Sequence, residues 1–210
     1  MVQIELNPQE LKLAAQEAKY QWKGDEGRLA AWLQSGADIS VPGLKEWLTK
    51  WKLARANPVA YREVLARQLQ IARAKIKNTD VKDLPMAVEE LAETLKRNGA
   101  TTNRQTSLAS KFVCSLFPES IPPYDQFGRQ GLRSLFEHRI NPHDYSQYCR
   151  LFMEFHQALL RKKSAQEVIA KHLKENSSIS PQVLQMRFAD KCLMLIGRFD
   201  PSRMERKIEP

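Results

Sequence analysis

The stretch from Thr106 to Leu132 holds the residues of this chain best placed to do chemistry. Small and apolar residues from Ala109 to Phe117 make a helical run that stops at Pro118, and Ile121, Pro122, Pro123, Tyr124 and Asp125 lead into a second helical run. The two prolines hold the connection extended, so the carboxylate of Asp125 reaches the start of the second helix in a nearly fixed place. There it accepts hydrogen bonds from unpaired amides and meets the positive end of the helix dipole. The simplest role for Asp125 is a helix cap, and the chemical alternative is a catalytic carboxylate. Lys111 and Arg129 flank the loop, with Arg104 and Arg133 beyond them. These four cations are the candidate nucleic-acid contacts, against the plainer reading of solubilising charge.

These residues resemble the helix-hairpin-helix DNA glycosylase superfamily, with its 8-oxoguanine glycosylase-like fold. In that family a helix of small and apolar residues runs into a loop ending Pro-x-Asp, and the aspartate caps the next helix beside the damaged nucleotide. Ala109 to Phe117 looks like the first helix and Asp125 looks like the aspartate. The resemblance implies DNA as partner, with Asp125 stabilising an oxocarbenium-like sugar and assisting water while an aromatic or apolar pocket holds an extruded base. The sequence departs from the family at two places. The hairpin stretch Asn98–Thr106 has one glycine where the family carries several. Thr106 and Ser107 stand where some members place a lysine nucleophile, and Lys111 lies one helical turn further on. The reading is a DNA-associated protein on a glycosylase-like scaffold, and these residues leave open whether it is a DNA N-glycosylase.

Other chemistries find less support. His138, His143, His156 and His172 show no HExxH or similar ligand spacing, so no metal site is expected. No GxxxxGK[ST], GxGxxG or GxSxG occurs, and no cofactor is expected. Cys114, Cys149 and Cys192 lack CxxC spacing and are odd in number, which reads as reduced packing residues. Trp47 and Trp51 share a helix face among Lys45, Lys50 and Lys52, a base-stacking platform if exposed. Leu44, Leu48 and Trp51 also complete an apolar stripe, which favours burial of Trp51 and leaves Trp47 open.

The elements that must position these residues are helices. Asn7-Pro8 with Glu10, Asn57-Pro58, Asp83 before Pro85, Asn141-Pro142, Ser164 with Glu167 and Ser180-Pro181 read as helix starts, and Asn98-Gly99 as a stop. Helices are predicted over approximately 8–22, 26–35, 43–55, 58–77, 84–97, 105–117, 125–138, 142–162, 165–175 and 181–199. Apolar residues recur at Tyr61, Leu65, Leu69, Ala72 and Ile76, and again at Leu184, Phe188, Cys192, Leu195 and Phe199. This periodicity places Arg73, Arg187 and Lys191 off the buried stripes. Few glycines and no hairpin signal argue against a sheet, so the expected class is a compact all-α domain over 1–210. The four tryptophans lie in the first quarter and most phenylalanines after residue 111, which permits lobes at 1–80 and 81–210.

A charge of +9, from 33 Lys and Arg against 24 Asp and Glu, favours approach to polyanions. No apolar run spans a bilayer and no signal peptide is evident, so a cytoplasmic protein without membrane contact is expected. The reading from a different class is a non-enzymatic interaction protein, an accessory subunit of a nucleic-acid-processing or defence system that binds another protein through its helix surfaces. Oligomeric state is not legible from these residues.

Overall fold

Residues 4–137, 140–175 and 178–198 are described by the computed structural model. Asn7 opens α1 (Pro8–Gln21) with a reciprocal box: its side chain accepts the Glu10 amide at 2.9 Å, and its own amide donates to the Glu10 carboxylate at 2.8 Å. A widened, kinked turn over Trp22–Glu26 leads to α2 (Gly27–Gln34). Then come α3 (Val41–Lys50), α4 (Arg62–Lys77), α5 (Leu84–Arg97), α6 (Thr106–Leu116), α7 (Gln126–Phe136), α8 (Tyr145–Leu160), α9 (Lys163–Lys174) and α10 (Pro181–Ile196). The described residues contain no strand, so the all-α class stands. Nor do they contain a helix long and apolar enough to cross a membrane.

Several expected starts are corrected. Asn57-Pro58 opens only a short 3-10 turn, Val59–Tyr61, because the Asn57 side chain donates to the Leu53 carbonyl and to Gln105 instead of capping a helix. Asn141 makes a local turn by accepting the His143 amide, and Asp144 is the cap of α8, accepting the Gln147 amide at 2.7 Å. α9 begins at Lys163 with no side-chain cap, its preceding Lys162 ammonium donating to the Ile4 carbonyl across the fold. The predicted helix over 43–55 is cut at Lys50, and Ala54–Ala56 forms a separate 3-10 turn. Asn98-Gly99 does end α5: Gly99 sits at φ 67°, and the Ala100 amide returns to the Leu95 carbonyl. His138 and the ends of the ranges predicted at 125–138 and 181–199 lie outside the described residues.

One contiguous cluster of buried apolar side chains runs from Ile4 to Leu195. α1 packs on α9 and α10, α7 lies along α10, and α5 joins α6 to α8. The first helix is thus housed among the last two, across any division near residue 80. Arg73 and Arg187 are buried, contrary to their expected solvent side. Arg73 donates to the carbonyls of Gly36 and Ala37 at 2.8 and 2.7 Å, and also to Leu33, so it satisfies groups left open at the end of α2.

α7 approaches α10 closely because Gly131 has no side chain. An added Cβ would lie 2.3 Å from the Leu193 carbonyl oxygen, which is backbone and cannot swing away. Gly131→Ala should therefore cost about 1–3 kcal/mol in denaturant unfolding, the range of overpacked cores. A loss under about 0.5 kcal/mol would show that the two helices separate freely.

Candidate functional site

The loop before α7 is held by its own carbonyls. Tyr145 donates to the Pro122 carbonyl at 2.6 Å, Tyr148 to Pro123 at 3.1 Å and Ser107 to Tyr124 at 2.9 Å, while the Tyr124 amide donates to Ser110 Oγ. Tyr124, Tyr145 and Tyr148 also pack ring to ring, with centroids 4.7 to 6.1 Å apart. A loop whose polar groups are satisfied by buried and half-buried hydroxyls from α6 and α8 is pre-organised, and Asp125 at its end has little freedom. Asp125 caps α7 as expected, accepting the Gly128 amide at 2.7 Å.

Asp125 is nevertheless not only a covered cap. It lines a cleft of about 1120 Å³ bounded by α1 and the kinked turn, the end of α3, α6, α9 and α10. Burial, followed by the nearby Asp190 charge, raises its pKa, against lowering by the Gly128 hydrogen bond and Lys111. Lys111 lines the same cleft. Its ammonium donates to the Trp51 carbonyl at 3.2 Å and stands 5.8 Å from the Trp51 ring centroid. Desolvation lowers the Lys111 pKa, so its neutral amine is more accessible than that of a surface lysine.

The floor beside this pair is a buried ionic network. Arg187 meets Glu26 Oε2 at 2.6 Å and Asp190 at 3.3 Å, and Lys191 meets Asp190 at 3.0 Å. The Arg187 guanidinium also stands 5.4 Å from the Trp51 ring centroid. The kink at Trp22–Glu26 delivers Glu26 to this network. Around the opening stand His172 and several lysines; in all, the cleft lining has eight lysines and Arg187 against six carboxylates, so it stays positive even with every acid ionised.

The other expected contacts lie elsewhere. Arg104 is half-buried and engaged by other groups, donating to the His143 carbonyl at 3.0 Å and standing 3.9 Å from Glu89. Arg129 lies over the Tyr124 ring and donates to its hydroxyl, and Arg133 is exposed on α7; none of these three lines the cleft. Trp47 is buried and donates to Ser115, which removes it as a stacking platform, while Trp51 is buried with one side on the cleft. Cys114, Cys149 and Cys192 are free and buried. Burial pushes the Cys114 and Cys149 thiols up to about 12, which suits packing and not thiolate chemistry. Among the described residues no three His, Cys, Asp or Glu side chains gather as a metal site.

Sequence reasoning missed Glu26, Arg187, Asp190 and Lys191. A signal was present for the last three: opposite charges at i, i+3 and i+4 on a helix that is apolar around most of its circumference. Comparisons with protein-family models, curated proteins and solved structures found no match.

Proposed function

We propose that this chain is a DNA-associated protein whose cleft receives an extruded nucleotide and releases its base, with Asp125 and Lys111 as the catalytic pair. The observation that carries this reading is that both groups line one positively charged cleft beside a tryptophan ring. Asp125 would face the sugar as the C1′–N bond lengthens and positive charge develops at C1′. The Lys111 amine would add to C1′ while the bond's electron pair leaves with the base, which takes up the proton the amine sheds. Opening of the sugar ring then leaves an imine between Lys111 and C1′. The basic lining suits the flanking phosphates. The resemblance of Ala109–Phe117 and Asp125 to the glycosylase superfamily supports the same reading.

The test is incubation with duplex oligonucleotides carrying an assortment of damaged bases, with detection of abasic sites and borohydride trapping of the imine. Abasic product and a trapped protein–DNA adduct are expected, and Lys111→Gln should lose the adduct while keeping its fold. Absence of DNA binding at low salt would instead favour an accessory protein that docks another protein. An adduct that persists in Lys111→Gln would remove Lys111 as the nucleophile.

A further inference from the structure

We infer that the phosphate backbone beside the bound nucleotide is held by a lysine wall that α1 and α9 build at the cleft mouth, with Lys12 and Lys171 as its principal contacts. The inference rests on the nucleic-acid reading above and adds which surface the strand follows. α1 and α9 pack side by side, and Lys12, Lys19, Lys171 and His172 all line the cleft. Lys12 and Lys171 are exposed, and among the described residues neither forms an ion pair or hydrogen bond. Of the two carboxylates at this place, Glu175 is engaged by Lys19 at 3.4 Å and by His172 at 3.6 Å, and Glu17 accepts from the Gln21 amide. Burial lowers the His172 pKa, and Lys19, Lys171 and Lys12 are close enough to lower it further against the opposing Glu175 charge. Lys12 and Lys171 thus stand near each other with no carboxylate among the described residues paired to either, and a polyanion relieves the repulsion between them.

The opposite rim also carries lysines, Lys23, Lys50 and Lys52. Lys50 is paired with Asp25 at 2.6 Å, and Asp25 also meets Arg28 at 3.5 Å. Arg104, Arg129 and Arg133 lie outside the cleft and cannot supply this contact to a nucleotide seated at Asp125. Phosphate groups, spaced regularly along a strand, are the ligand that two unpaired ammonium groups side by side fit.

The probe is a duplex oligonucleotide carrying a stable tetrahydrofuran abasic-site analogue, bound by the full chain at a series of salt concentrations. Lys12→Gln with Lys171→Gln should flatten the slope of log affinity against log salt by about 1.8, since each lost phosphate contact removes roughly 0.9. A charge-matched control, Lys82→Gln with Lys163→Gln, removes two exposed lysines that do not line the cleft and should leave the slope unchanged. His172 provides a local reporter, because its imidazole NMR signals should shift on binding in the parent and shift less in the double variant. If the parent binds and both variants keep its slope and its His172 shifts, the lysine wall is refuted while the nucleic-acid reading stands. If the parent itself fails to bind at low salt, both fall together.

Discussion

Asp125→Asn is expected to lower base release by about 10²-fold or more while leaving the protein folded. Asparagine keeps an oxygen that can accept the Gly128 amide, so the cap of α7 survives, but the negative charge opposite the developing cation is gone. Two small effects on stability oppose each other. Loss of the charge–dipole interaction costs roughly 0.3–1 kcal/mol, whereas removing an ionised group from a desolvated site is favourable. The sign follows from the raised pKa: the proton is held more tightly in the folded state, so this group's stabilising contribution is full below the ordinary carboxylate range and is lost as pH rises through the folded value. At neutral pH the net change should lie within about 1 kcal/mol. Asp125→Ala removes both cap and charge and should lose about 0.5–2 kcal/mol in addition to activity. Single-turnover base release beside denaturant unfolding separates these outcomes. An asparagine variant that is stable and still fully active would leave Asp125 as a cap alone.

Arg187→Ala should destabilise the fold by about 3–5 kcal/mol, the cost of stranding buried charges by removing their partner. The guanidinium is 1% exposed and joins Glu26 on the kinked turn to Asp190 on α10, with Trp51 beside it. Without it, Asp190 retains only Lys191 as an ion-pair partner among the described residues, and Glu26 loses its contact at 2.6 Å. Arg187→Lys should fall between parent and alanine variant, since one ammonium cannot span both carboxylates as the planar fork does. Denaturant unfolding at pH 7 measures the difference. A loss under about 1 kcal/mol for the alanine variant would mean that water entering the cleft replaces the guanidinium.

Much of the helical frame was legible in the residues. Asn7 with Glu10, Asn98-Gly99 and the double proline before Asp125 act through the nearest few peptide groups, so their effect follows from local chemistry. Starts at Asn57, Asn141 and Ser164 were misread for the complementary reason. Asn57 turns to Gln105, and the chain before α9 is held by Lys162 on Ile4, contacts 48 and 158 residues apart. A capping side chain with a distant alternative partner does not announce its choice. The short turn at Asn141 shows that even a local partner two residues away can displace the start of a helix.

Helix periodicity likewise separated most core residues from surface ones but failed at Arg73, Arg187 and Lys191. Periodicity assigns charged side chains to water, and these are buried by partners it cannot see: carbonyls ending α2 for Arg73, and carboxylates on α10 and the kinked turn for the other two. By itself the sequence determined the all-α class, the excess of positive charge and the fixed seat of Asp125, because composition, capping and proline stiffness act over a few residues. Only the tertiary structure decided that Lys111 shares a cleft with Asp125, that Trp51 borders it and that Lys12 and Lys171 stand together at its mouth. Those groups are brought together by the packing of α1 on α9 and α10, and that packing depends on the shape of the whole buried core.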